Sequence, residues 1–274
     1  MPRSPLGTED MPGRPDTPAP AGLPHHQQLL HGTDWASLAT PSGTGESLPA
    51  ALARLLDPDP AVRADAARDA LGAVTHQNTL YEATVPVARY LAAILNRPDL
   101  TAGGFGPGTA VPSRPPTLVG LLTWLGDTAY DADDESVAIG ERHCGERFLH
   151  EYAEMRAFRD LRPVIFSAVR PLLRHGNAEV RDAALVTAIP LAEHPHLAGH
   201  RDELVEHARR LLAGSSTRHH RDRALDALDA WGPGTGDPED AADIAARGQR
   251  ARRTAERASR RGGWTGGHGE DPPF

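Results

Sequence analysis

Apolar residues first fall into a helical rhythm at Leu48. Leu48, Ala51, Leu52 and Leu55 lie three and four apart, so they share one face of a helix. Asp57-Pro58-Asp59-Pro60 follows as a turn, with Asp59 placed as an N-cap and Pro60 at the first helical position. Val62, Ala66, Ala67, Ala70, Leu71 and Val74 continue on one face, which predicts a helical hairpin. A third helix is expected from Thr79, where Thr79-Leu80-Tyr81-Glu82 fits a capping box. It runs through Val85, Ala88, Leu91, Ala92 and Leu95, and stops at Asn96-Arg97-Pro98 because the residue before a proline leaves the helical region. After a long Gly/Pro loop over 98–116, helical spacing returns at Thr117–Tyr130, then from Ser136 to Met155, and over 160–174, 178–193, 200–213, 217–231 and 238–261. An acidic turn, Asp131 to Glu135, separates the first two of these. No alternating stretch argues for strands, so the fold class expected is all-α.

The helices repeat. A shift of 118 residues lays Leu48, Leu55, Val62, Arg63, Ala66 and Ala70 on Phe166, Leu173, Val180, Arg181, Ala184 and Ala188. A shift of 40 lays Ile165, Leu172, Arg181, Asp182 and Leu185 on Val205, Leu212, Arg221, Asp222 and Leu225. Both shifts fit a period near 40, with 118 read as three units, and helix pairs at that period stack so that each covers its neighbour's apolar stripe. The stretch Leu55-Leu56-Asp57-Pro58-Asp59-Pro60-Ala61-Val62-Arg63, and its second copy from Leu172 to Ala184, resemble the HEAT-repeat family, including its short lyase-like variants. The resemblance covers roughly 48–232 and implies a right-handed α-solenoid of stacked antiparallel helix pairs. It also implies a ladder between a turn Asp and a helix Arg six residues later. Asp57 and Arg63 keep that spacing, while Arg181 and Arg221 have His175 and Ser215 instead.

The domain plan follows: a disordered Pro/Gly-rich tail over 1–46, a helical repeat domain over 47–235, an Arg-rich helix over 236–261 and a disordered tail over 262–274. The 27 glycines and 25 prolines are above ordinary globular usage, which supports assigning part of the chain to linker and tail.

Charge and missing residue types narrow the chemistry. The chain has no lysine, which excludes a P-loop NTPase, a protein kinase, a pyridoxal-phosphate enzyme and a Schiff-base aldolase. The net charge is −8 although residues 241–261 hold seven arginines against Asp243 and Glu256, so the rest is strongly acidic. An acidic body repels phosphate, so nucleic acid is expected to bind, if anywhere, at the Arg-rich segment 247–261. Cys144 is the only cysteine, so no intramolecular disulfide or cysteine-based zinc site is possible. No signal peptide and no membrane-spanning run is read, so the location expected is cytoplasmic.

Candidate chemistry is thin. His76-Gln77-Asn78-Thr79-Leu80-Tyr81-Glu82 is the most unusual polar cluster, placed at a repeat edge where Tyr81 could anchor a partner; a helix end plus a capping box also explains it. The binding candidates are His76, Gln77, Tyr81, Glu82, Arg63 and Arg181. His143 beside Cys144 points about 100° away on a helix, so Cys144 reads as a quiet, partly buried thiol. His194, His196 and His200 invite a metal, but Pro195 interrupts them and no H-E-x-x-H occurs; no metal, cofactor or catalytic residue is expected. The reading is a non-enzymatic interaction scaffold or adaptor for a basic protein, regulatory or immunity-like. The rival is a HEAT-fold enzyme such as a DNA glycosylase-like protein, with Trp124 and Trp231 available to line a site.

Overall fold

The computed structural model describes residues 23–100, 116–231, 241–245, 247–249 and 252. These residues are predominantly helical. The elements are α1 (His26–Gly32), a two-residue hairpin β1 (Ala39–Thr40) and β2 (Gly43–Thr44), α2 (Leu48–Arg54), α3 (Pro60–Gly72), α4 (Thr84–Ile94), α5 (Thr117–Asp131), α6 (Asp134–Cys144), α7 (Phe148–Glu151), α8 (Ala153–Val169), α9 (Ala178–Leu191), α10 (Arg201–Gly214) and α11 (Arg218–Trp231). Local chemistry starts several of them. The Asp59 carboxylate accepts from Ala61 N at 2.8 Å with Pro60 in the first turn, and Asn177 caps α9 through Glu179 N at 2.8 Å.

Helix α3 packs on α5, α5 on α9 and α9 on α11, while α4 packs on α8, α2 on α3 and α10 on α11. Helix α9 lies between α5, α8 and α11, and every residue from Ala183 to Ala192 is buried. A helix apolar on all sides fits only such a central position. Its one polar member there, Thr187, donates to Leu122 O at 2.7 Å and shares that hydroxyl with Ala183 O. Opposite stands Gly126, where an added Cβ would lie 3.2 Å from the Thr187 backbone. The glycine therefore sets how closely α5 approaches α9. Tyr90 in α4 is fully buried and donates to Leu52 O at 3.0 Å, which ties α4 back to α2.

The repeated arginines do one job three times. Arg63 Nη1 donates to Asp57 O at 2.7 Å and Pro58 O at 3.0 Å. Arg181 Nη1 donates to His175 O at 2.8 Å and Gly176 O at 2.9 Å. Arg221 Nη1 reaches Ser215 O at 3.1 Å, again six residues back. Each arginine thus closes the turn that leads into its own helix, giving carbonyls at a helix end a charge-assisted donor. The expected Asp–Arg spacing is present at Asp57 and Arg63, where Arg63 donates to the Asp57 backbone carbonyl and the Asp57 carboxylate accepts from Asp59 N at 2.9 Å.

Helices α8 and α9 pack on α4 and α5, and α6 and α7 lie between α5 and α8 in the chain. Several expectations are corrected. Residues 23–46, assigned to a disordered tail, form α1 and the small hairpin. Trp35 is buried there and donates to Leu30 O at 2.8 Å, with Leu29 and Leu38 packed on the core. The expectation for 1–22 lies outside the described residues, as do those for 101–115 and 253–274. The capping box at Thr79 does not form: α4 begins at Thr84. The single helix expected over 136–155 is broken after Cys144, where Gly145 takes φ 97°. Cys144 is exposed. In the C-terminal segment, residues 241–245 are helical, and the fully buried Asp243 pairs with Arg218 and Arg221 of α11.

Candidate functional site

The turn before α4 is the most strained backbone described. Gln77 and Asn78 adopt φ 48° and 58°, a left-handed pair between His76 and Thr79, which form an isolated antiparallel bridge. Asparagine tolerates that region; glutamine does so at a cost, and such strain persists only where the surroundings impose it. Tyr152 imposes it. Its hydroxyl donates to Leu80 O at 2.9 Å and accepts from Leu80 N at 2.7 Å, across 72 residues of sequence. On the other side, Glu82 accepts from Ala39 N at 2.8 Å.

Asn78 and Thr79 form one lip of a cleft of about 580 Å³. The rest of its wall comes from Asp131 at the end of α5, Ser136, Ile139, Gly140 and Cys144 on α6, Phe148 and Glu151 on α7, then Tyr152 and Met155. The Phe148 and Tyr152 rings meet edge to face at 5.7 Å. Gly140 permits this: a Cβ there would stand 2.2 Å from the Phe148 ring. The cleft is therefore built by α6 and α7 lying against the strained turn.

Asp131 is its electrostatic focus. Burial raises its pKa to about 6, and the neighbouring Asp127 and Asp133 add to the rise, with Arg223 opposing it. Its place at the C-terminus of α5 acts in the same direction. A carboxyl this perturbed, sitting in a cleft, marks a candidate site. The sign of its contribution to stability follows. The folded chain holds the Asp131 proton more tightly than the unfolded chain, so ionisation opposes folding above about pH 6. That penalty fades as pH falls from about 6 toward 4, the ordinary carboxyl value. Asp131→Asn is expected to raise Tm by about 2–4 °C at pH 7.5, allowing for solvent screening. The rise should largely vanish at pH 4.5. Calorimetry at the two pH values checks this; an unchanged Tm at pH 7.5 contradicts it.

A larger cavity, about 990 Å³, opens between α8 and α10. Phe166, Val164 and Leu197 form its apolar part, and Asp160, Arg170, Arg174, His194, His196, His200 and Glu203 its polar part. The charged groups there largely satisfy one another: Glu203 receives Arg170 Nε and Arg174 Nη2, each at 2.9 Å. His200 lies on the Phe166 ring at 4.9 Å, and His194 accepts from His196 N at 3.2 Å. Among the described residues, no group of three His, Cys, Asp or Glu side chains is placed to hold a metal ion.

The structure does not bring the six sequence candidates together. His76, Gln77, Tyr81 and Glu82 share the turn before α4, with His76, Gln77 and Glu82 exposed and Tyr81 half-buried. Arg63 and Arg181 stand on α3 and α9, with α5 between them, and serve as turn clamps. None of the six lines either cavity, although Asn78 and Thr79 beside them do. Sequence reasoning missed Asp131, Tyr152, Phe148 and Gly140. Asp131 was visible only as part of an acidic turn. The break at Gly145 carried a usable signal, since glycine directly after a helical stretch is a common stop. Nothing local marks Tyr152 as the partner of Leu80. Comparison with protein-family models, with curated proteins and with solved structures finds no match to this chain.

Proposed function

We propose that this chain is a non-enzymatic, right-handed α-solenoid of HEAT-like helix pairs that binds another protein, and that the partner is basic. The observation that carries the reading is the convergence of side chains over α9. Arg223 of α11 reaches the ring of Tyr130 in α5 at 3.6 Å, although α9 packs against both helices. Side chains from alternate helices meet in this way on the inner side of a curved stack. Asp127, Asp131 and Asp133 gather there, close enough for Arg223 to act on Asp127 and Asp131. An acidic inner face favours a basic partner through electrostatic complementarity and faster encounter. The three arginine clamps support the repeat itself, since one contact recurs at one register.

The glycosylase-like alternative draws no support from its aromatic residues. Trp124 is buried and donates to Thr75 Oγ1 at 2.8 Å, and Trp231 lies under Arg201. No helix among the described residues is long and apolar enough to cross a membrane.

Affinity capture with the full chain, read by mass spectrometry, tests the proposal. The expected result is a basic protein that elutes as salt rises, since screening shortens to about 3 Å at 1 M. Recovery of only acidic proteins, or of none, counts against it.

A further inference from the structure

We infer that the cleft between the 76–79 turn and helices α6 and α7 is the anchor pocket for an arginine side chain of the basic partner. This rests on the protein-binding reading above and names the chemistry at one point of it. Three independent features converge. The lining contains two carboxylates, Asp131 and Glu151, and no basic residue. Glu151 is already paired with Arg147 at 3.0 Å, whereas Asp131 accepts no hydrogen bond among the described residues. The cations around Asp131 come from outside the lining, in the form of Arg223 on α11; Asp127 and Asp133 flank it and Tyr152 faces it.

The second feature is the wall. Phe148, Tyr152 and Met155 give an aromatic and thioether surface, and Ile139 is one of two large apolar side chains left exposed among the described residues. A guanidinium suits this mixture better than an ammonium. It is planar, weakly hydrated, stacks on ring faces and meets a carboxylate with two parallel N–H donors. The third feature is the imposed shape. The Tyr152 hydroxyl holds Leu80, two residues after the left-handed pair Gln77–Asn78, and Gly140 makes room for Phe148, so the walls are set before a ligand arrives. A wall fixed in advance lowers the ordering cost of binding.

The test titrates a short peptide, acetyl-Gly-Ser-Arg-Gly-Ser-amide, into the isotope-labelled full chain and follows backbone NMR shifts. Its counterparts carry citrulline or lysine in place of arginine. The expected result is shifts centred on Asn78, Thr79, Asp131, Gly140 and Phe148. The citrulline peptide should bind at least tenfold more weakly and the lysine peptide more weakly than arginine. Asp131→Asn, which is expected to fold more stably at neutral pH, should lose binding at least tenfold. Gly140→Ala, which displaces the Phe148 ring, should also weaken it. Equal binding of arginine and citrulline peptides, an unaffected Asp131→Asn, or shifts confined to other surfaces would overturn the anchor. A chain that captures a basic protein while its cleft ignores the peptide overturns the anchor alone. A cleft that takes the peptide in a chain that captures no basic protein overturns the scaffold reading and leaves the arginine site standing.

Discussion

Arg162→Ala is expected to lower folding stability by about 3–5 kcal/mol, the usual cost of stripping one partner from a buried ion pair. Arg162 sits in α8 with its side chain 1% exposed. Nη2 donates to Ala132 O in the turn between α5 and α6, and Nη1 faces Glu193 Oε2 at 3.4 Å, just past the end of α9. Glu193 in turn accepts from Asp134 N at 3.0 Å, at the start of α6. One guanidinium thus joins α8, the end of α9 and the turn between α5 and α6. Burial lowers the Arg162 pKa to about 10 and raises that of Glu193, so each ion depends on the other for compensation. Alanine removes the donor and leaves a void. Urea denaturation measures the loss, and Arg162→Met separates its parts, since methionine refills much of the volume without the charge. Combining Arg162→Met with Glu193→Leu should recover most of the stability, because an apolar pair can replace a buried ion pair. A loss below about 1 kcal/mol for Arg162→Ala, the level of a surface pair, would show that the network does not form.

Arg221→Ala is expected to cost about 3 kcal/mol or more, whereas Arg181→Ala should cost about 1 kcal/mol. Each arginine clamps the turn before its own helix, and the two differ in burial and in partners. Arg181 is half-buried, and its Nη1 donates to two neutral carbonyls. Arg221 makes the same turn contact and also donates Nε to Asp243 Oδ1 at 3.0 Å and Nη2 to Asp243 Oδ2. Asp243 is fully buried, and Arg218 also holds its Oδ1 at 2.6 Å. Removing Arg221 therefore leaves a buried carboxylate short of its main partner. Paired urea melts give the comparison. Equal losses for the two variants would mean that the C-terminal segment does not dock on α11 through Asp243.

What was legible in the sequence was what local chemistry decides. Asp59-Pro60 and Asn177 each announce a helix start within three residues, and α3 and α9 begin there. The spacing of Arg63, Arg181 and Arg221 marked three similar turns because each arginine bonds its own turn. The failures share a cause, which is that distant residues decide. Thr79 looks like a cap, but Tyr152 holds the following residue in a turn and delays α4 to Thr84. Leu29, Leu30, Trp35 and Leu38 are too sparse to show a period, yet Trp35 is buried. The candidate cleft was hidden for the same reason, since Asp131, Gly140, Phe148 and Tyr152 meet only once α6 and α7 fold against the turn at 76–79.

Amide hydrogen exchange of the full chain, alone and with the basic partner it captures, tests the central claim most directly. The account predicts slowed exchange in the 76–80 turn, at the end of α5 and through α6 and α7, with α10 little changed. Protection confined to the cavity between α8 and α10, or to residues before 23 and after 252, would contradict it.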